Sequence, residues 1–265
     1  MNQTLKWLYS AENKTGGIAA WYGPQGWHRS YPEVTGYLLP TLWKWGACDL
    51  AERCAEWLAE IQNDDGSWNG LDDVKRPFDT AAIIEGLRCI DGYQASVERA
   101  EMWMLTQITD EGYLKNSPSN PQPEIYNLRA SAIIGNRYEL QYWHDKDLIG
   151  NRQRAHYLAY AVEGALNMDD IKIASDYAGL AFCSNKKLMP FYVDNKWHSP
   201  FEDYDFCATA QWSIIFNRLG MDATKHYNVL REHIHPSGGV PQSTADEREI
   251  AWGAKFYLDL CEVME

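Results

Sequence analysis

Apolar residues recur at helical spacing over most of the chain. Between Asp49 and Ile61, the residues Leu50, Cys54, Trp57, Leu58 and Ile61 fall on one stripe of a helix, with polar residues on the other side. The same one-sided pattern runs through Asn2–Ala11, Val97–Ile108, Tyr138–Leu148, Asp170–Cys183 and Asp222–Ile234. These segments predict outer helices with one wet face. Between them lie Glu33–Trp45, Phe78–Ile90, Ile125–Ile134, Arg154–Leu166, Asp205–Leu219 and Glu249–Val263, which are richer in apolar and small residues. Small residues cluster in their first turns, as in Ala81-Ala82 and Ala208-Thr209-Ala210. A helix crowded on most sides needs such residues to let its neighbours approach, so these segments predict inner helices.

Strict alternation of outer and inner helices predicts an all-α fold, an (α/α)6 toroid of six helical hairpins of about 45 residues each. An open α-solenoid is the alternative. Closure is favoured because both terminal segments carry an apolar face, where a solenoid would need polar caps. The outer-to-inner loops are long and rich in Gly or Pro: Gly16–Tyr31, Gly66–Arg76, Gly112–Glu124, Asn185–Glu202 and Pro236–Glu247. In a ring they share one face and surround the N-termini of the inner helices, the usual binding face of a repeat array. No linker or low-complexity tract interrupts residues 1–265, so a single domain is expected.

One turn identifies the repeat. Gln62-Asn63-Asp64-Asp65-Gly66-Ser67-Trp68 closes an outer helix. Its expected role is structural: Gln62 bonds free backbone groups, Gly66 takes positive φ and Trp68 packs on the next hairpin. The pattern Gln62-x3-Gly66-x-Trp68, followed by Phe78-Asp79-Thr80, resembles the second half of the QW repeat of terpenoid cyclases. The chain thus resembles the toroid superfamily of terpenoid cyclases and protein prenyltransferases.

It is also similar to small bacterial prenyltransferase/squalene-oxidase-repeat proteins of surface-polysaccharide gene clusters. That similarity rests on Gly16-Gly17, Tyr31-Pro32-Glu33-Val34-Thr35-Gly36-Tyr37, Trp57-Leu58-x3-Gln62, His156-Tyr157-Leu158-Ala159-Tyr160, Cys207-Ala208-Thr209-Ala210-Gln211, Gly238-Gly239-Val240-Pro241 and Trp252-Gly253-Ala254-Lys255-Phe256. It implies the toroid fold and a place in polysaccharide or exopolysaccharide biosynthesis, without fixing an activity.

Composition narrows the partners. A formal net charge of -13 opposes nucleic-acid binding, which needs a basic face. No polybasic tract or long apolar run points to a membrane span, and the first residues do not read as a signal peptide. The six cysteines form no CxxC pair, which suits reduced thiols in the cytoplasm. The 12 Trp and 16 Tyr suggest an aromatic cavity for a small molecule or glycan.

The first turns of the inner helices bring candidate chemistry to the loop-covered mouth. The expected catalytic residues are His156, Tyr157, Asp79 and Asp205. The expected substrate-binding residues are Tyr31, Glu33, Thr80, Arg129, Tyr160, Cys207, Gln211, Trp252 and Lys255. Tyr126 stands beside them. Converging helix N-termini hold a carboxylate or phosphate well. A His156–Tyr157 pair could abstract a proton next to a uronate carboxylate that Arg129 or Lys255 neutralises. Helix capping is the competing role for Asp79, Asp205, Thr35 and Thr80, and core packing for Tyr157, Tyr160 and His156.

Asp205-Phe206-Cys207 resembles the Asp-x-Cys zinc ligands of protein prenyltransferases, but Glu249-Ile250-Ala251-Trp252 on the next inner helix brings no His. No metal or cofactor is therefore expected, with zinc held by Asp205 and Cys207 as the alternative. The chain has no DxDD acid motif, only the fragment Asp203-Tyr204-Asp205, and no Walker, GxSxG, HExxH or GxGxxG motif.

The expected function is carbohydrate-active or glycan-binding, with a sugar lyase or epimerase step at the inner-helix mouth. An isoprenoid-handling enzyme is the rival. A sugar site should be open and polar around its aromatics, whereas an isoprenoid site should be deep, dry and apolar.

Overall fold

Pro32, Pro77 and the capping carboxylate of Asp205 open three of the helices that form the centre of the molecule. Proline at the first helical position costs no hydrogen bond and presets φ. The computed structural model describes residues 2–144, 153–184, 186–199 and 201–264. Among these, the odd-numbered helices are α1 (Gln3–Ser10), α3 (Cys48–Glu60), α5 (Gln94–Leu105), α7 (Arg137–His144), α9 (Ile171–Cys183) and α11 (Thr224–Glu232). The even-numbered helices are α2 (Pro32–Lys44), α4 (Pro77–Leu87), α6 (Asn127–Ile134), α8 (Ala155–Asn167), α10 (Phe206–Arg218) and α12 (Ala251–Met264).

The even-numbered helices pack in succession, α2 on α4, α4 on α6, α6 on α8, α8 on α10 and α10 on α12, and α12 returns to α2. Each odd-numbered helix from α3 to α11 packs against the even-numbered helix before it, and α1 lies against α12. The fold is thus mostly helical and of the α/α-toroid type. Gly86 shows why the inner helices carry small residues: a Cβ there would stand 2.0 Å from the carbonyl oxygen of Gly36.

Every predicted helix has a counterpart, with boundaries moved by a few residues. Positions 145–148 of the predicted Tyr138–Leu148 helix, and positions 185 and 200 of the fourth long loop, lie outside the described residues. The all-helical expectation needs one correction. The loops contain short strands: β1 (Trp21–Gly23), β2 (Gly26–Trp27), β3 (Gln153–Arg154), β4 (Met189–Pro190), β5 (Tyr192–Val193), β6 (Tyr204–Asp205) and β7 (Glu249–Ile250). They pair antiparallel as β2-β1-β7, β3-β5 and β4-β6. These pairings satisfy the backbone groups of loops folded over the ends of buried helices.

The loops repeat at atomic detail. A tight turn follows the outer helix in four hairpins, with Gly16, Gly66, Gly112 and Gly238 donating to the carbonyls of Asn13, Asn63, Thr109 and His235. At Gly66, φ is +93° and a Cβ would stand 2.3 Å from Arg99 O, so no other residue fits. Gln62 Nε2 donates to Gly66 O and Ser96 O, both at 2.9 Å, and Trp68 Nε1 donates to Leu58 O at 2.7 Å. The loop then returns to the next inner helix, where a threonine hydroxyl accepts a loop N–H. Thr35 accepts from Ile18, Thr80 from Trp68 and Thr209 from Met189, at 2.9, 3.4 and 2.9 Å. Thr80, expected to touch substrate, is fully buried in this structural role.

Candidate active site

The inner helices supply side chains in layers. The residues at the N-cap positions of α2, α4, α8 and α10 are Tyr31, Arg76, Arg154 and Asp205. The second and third helical residues include Glu33, Phe78, Asp79, His156, Tyr157 and Trp252. Together with Tyr126, and excepting Asp205, these two layers line a cavity of about 490 Å³ at the helix N-termini. The sixth residues of α2, α8, α10 and α12 are Tyr37, Tyr160, Gln211 and Phe256; Tyr37 and Tyr160 line the cavity, and Gln211, Phe256 and Arg129 lie behind its lining. Tyr37 and Tyr160 pack on Phe256 at centroid distances of 6.0 and 5.9 Å, and the Arg129 guanidinium lies 5.5 Å from the Tyr160 ring.

Two acids share the cavity. Glu33 is hydrogen-bonded by Tyr31, yet burial pushes its carboxyl up to about 7. Burial, and then the charge of Glu33, hold Asp79 well above the usual carboxylate range. Asp79 Oδ2 makes no hydrogen bond among the described residues, and Arg76 stands 4.0 Å away, committed to Asp72 at 2.6 and 2.5 Å. Two buried carboxyls that feel each other's charge cannot both ionise freely. Burial thus favours the neutral form of both carboxyls, and does so more strongly at Asp79.

Aromatic rings build the rest of the wall. Phe78 packs edge-on to Tyr126 at 5.0 Å and to Tyr160 at 4.8 Å, and Tyr126 meets Tyr157 at 4.9 Å. Tyr126 donates to Asn116 at 2.9 Å. Arg154 stacks on Tyr157 at 4.9 Å and Phe191 at 4.5 Å, and its Nε has no partner among the described residues.

His156 differs from its expected behaviour. Burial, with the nearby Arg154 charge, pushes its imidazole down to about 3, so the ring is neutral at physiological pH. Its Nδ1 is bonded to Gln211 Oε1, which can only accept, so Nδ1 carries the proton and Nε2 is the acceptor. Cys207 Sγ lies 3.5 Å from Nδ1, and burial raises that thiol well above its ordinary value.

Among the expected site residues, the structure gathers Tyr31, Glu33, Asp79, His156, Tyr157, Tyr160 and Trp252 around this cavity. Others lie elsewhere. Asp205 caps α10, accepting from Ala208 N at 2.8 Å, with Arg154 3.9 Å away. Cys207 and Gln211 are fully buried behind His156.

Arg129 and Lys255 need a plain correction, because both line a second cavity, of about 320 Å³, at the other end of the ring. Arg129 pairs there with Glu85 at 2.5 Å and Glu163 at 3.3 Å, and Lys255 with Asp259 at 2.7 Å. The cations at the mouth are instead Arg76 and Arg154. Both stand one residue before an inner helix, a positional signal that aligning the helix starts would have exposed. No three His, Cys, Asp or Glu side chains among the described residues converge as a metal site.

No family model matches the chain. Over 92 residues, 33% of the chain, it is 32% identical to a terpentedienyl-diphosphate synthase of Kitasatospora griseola. It spans only 18% of that protein's length. An α-amylase from Clostridium perfringens superposes with a TM-score of 0.78 at 10% identity, covering 100% of this chain and 98% of that one. A type II terpene cyclase from Scytonema, in complex with its product merosterolic acid A, gives 0.68 at 12% identity, covering 98% and 94%. An unsaturated glucuronyl hydrolase specific for heparin gives 0.67 at 15% identity, also covering 98% and 94%. At these identities the likeness is one of fold. The chain has the α/α-toroid fold that terpene cyclases share with glycan-acting enzymes.

Proposed function

We propose that the twelve helices form one (α/α)6 ring of six hairpins, and that this ring is a glycan-active enzyme whose proton donor is Asp79. The observation that carries the proposal is the pair Glu33–Asp79: two buried carboxyls lining one aromatic cavity, Asp79 without a hydrogen bond at Oδ2 among the described residues and both pushed above the ordinary carboxylate range, Asp79 the further. Environments that push two carboxyls apart set up an acid and a base. Asp79 gives its proton to the glycosidic oxygen as the bond to the anomeric carbon breaks. Glu33 takes a proton from the water that adds to that carbon.

Tyr157, Phe78 and Trp252 offer faces for sugar C–H surfaces, and His156 Nε2 accepts from a hydroxyl. Arg154, with an unpaired Nε, suits a carboxylate on the sugar. A lyase or epimerase step through His156 is less suited, because an imidazole pushed down to about 3 is a weak base. Two of the structural neighbours bear the names of glycan-acting enzymes, which supports this choice. The setting we assign is polysaccharide synthesis in the cytoplasm, which fits six free cysteines.

The isoprenoid alternative rests on the aromatic wall and the terpene-related similarities, since a buried acid can also protonate an alkene. Against it stand the polar residues Asp72, Arg76, Asn116 and Arg154 lining an open mouth. The test is to incubate the protein with neutral and uronate-containing oligosaccharides and, in parallel, with geranylgeranyl diphosphate. New reducing ends that vanish in Asp79→Asn support the proposal. Cyclised prenyl products with no glycan cleavage would replace it with the alternative.

A further inference from the structure

The sheet β2-β1-β7 lies beside the main cavity on one face and lines a third cavity on the other. Alternation along β1 sends neighbouring residues to opposite faces. Trp21 meets the cavity-lining Trp252 edge-on at 6.5 Å. Tyr22 pairs in register with Trp27 on β2 and with Glu249 on β7, so these three form a row on the other face. They line a cavity of about 340 Å³ together with Trp7 and His235.

Along the row burial increases from the exposed Tyr22 to the half-buried Trp27 and the buried Glu249. Trp27 packs against Trp7 and Tyr22, both at 5.0 Å between centroids and tilted by 58° and 59°. Tyr22 keeps 43% of its surface exposed. At the base, Glu249 is 7% exposed and its orientation is fixed. Trp7 Nε1 and Ser237 Oγ donate to its Oε2, the latter at 2.9 Å, and His235 Nδ1 is 2.9 Å from Oε1.

We infer that this face is a second glycan-binding site, a platform for one pyranose ring outside the main cavity. A pyranose has an apolar C–H face and a rim of hydroxyls. The first matches the exposed ring of Tyr22 beside the half-buried ring of Trp27, and the second the carboxylate of Glu249 with Gln3 and Lys6 on the rim. The choice of a sugar over other ligands with one flat apolar face rests on the proposed glycan activity; the geometry of the site does not.

The two sites each hold a tryptophan, which gives separate reporters. Indole N–H signals of Trp27 and Trp252, assigned through Trp27→Phe and Trp252→Phe, are followed while maltohexaose and a heparin hexasaccharide are titrated. The expected result is that at least one glycan moves Trp27. Trp27→Ala then weakens that binding by about tenfold, while Trp27→Phe largely retains it. Movement of Trp252 alone overturns the platform and leaves the main-cavity function standing. Movement of Trp27 alone supports the platform and counts against the main cavity as a glycan site. No movement of either signal overturns both.

Discussion

Nδ1 of His156 is hydrogen-bonded to Oε1 of Gln211 inside the layer of side chains that divides the ring into two cavities. Gln211 Nε2 in turn reaches Glu163 Oε1 at 3.4 Å, and Glu163 is held by Arg129. A polar file thus connects the mouth to the charged cavity at the other end, and it fixes which imidazole nitrogen faces substrate. Gln211→Glu places a buried carboxylate where the amide oxygen stood, which favours the imidazolium and raises the His156 pKa. Ring ¹⁵N shifts should show a neutral, Nδ1-protonated ring from pH 8 to pH 5 in the native protein and a protonated ring in the variant. Identical titration of the two proteins would show that Gln211 does not set the state of His156.

Glu139 provides a test of pH linkage away from the mouth. It accepts from Leu114 N at 3.0 Å, from Ser131 Oγ and from Trp143 Nε1, yet burial pushes it up to about 7 from its ordinary 4.5. Its folded pKa lies above its unfolded one, so the folded state holds the proton more tightly. The resulting stability is complete below about pH 4.5 and is lost as pH rises through 7, with an upper bound of about 3 kcal/mol. Glu139→Gln cannot titrate, so the fall in Tm between pH 5 and pH 8 should be smaller in that variant. An unchanged slope would mean that Glu139 is ionised in the folded state.

The helices were legible because burial writes a 3.6-residue period into sequence, as at Leu50, Cys54, Trp57 and Leu58. The strands were not, since pairings such as Tyr22 with Trp27 are two residues long and lie among turn residues. The site was legible in part. Glu33, Asp79, His156 and Tyr157 sit in the first turn of their helices and reach the mouth. Arg129 stands near the start of the Ile125–Ile134 segment that sequence predicts, yet α6 begins at Asn127, which bonds the loop from the place that Thr35 and Thr80 take four residues into their helices. Arg129 therefore sits deeper, in the wall of the second cavity. Lys255 stands a turn deep in α12 and bonds Asp259, one turn further on. At 1.5 Å per residue, a shift of a few positions moves a side chain from one cavity to the other.

Gly66 and Gly46 separate two costs of positive φ. Their φ values are +93° and +73°, but a Cβ at Gly66 would strike the backbone of Arg99, while one at Gly46 would meet nothing within 4 Å. Gly46→Ala should cost about 1–2 kcal/mol from the left-handed conformation alone. Gly66→Ala should cost clearly more, because Arg99 is held within α5 and cannot withdraw. Chemical denaturation of both variants gives the comparison, and equal losses would show that the turn relaxes freely.

Asp79→Asn should separate function from stability. The folded carboxyl is held well above its ordinary 3.8 by burial and by Glu33, so the native state gains from the bound proton at low pH. That gain is lost as pH rises through the folded pKa, when a buried carboxylate forms without a hydrogen bond at Oδ2. Asparagine is nearly isosteric with the neutral acid and never ionises. The variant should therefore match the native protein near pH 5 and exceed it in Tm at pH 8 and above. It should also lose about 10²–10⁴-fold in glycan turnover while still binding the glycan, because it removes a proton donor rather than a contact surface. A gain in stability with loss of turnover is expected where a strained, buried acid is kept for chemistry. A variant that is less stable at every pH and fails to bind would instead mark Asp79 as a structural acid, leaving the cavity without a proton donor.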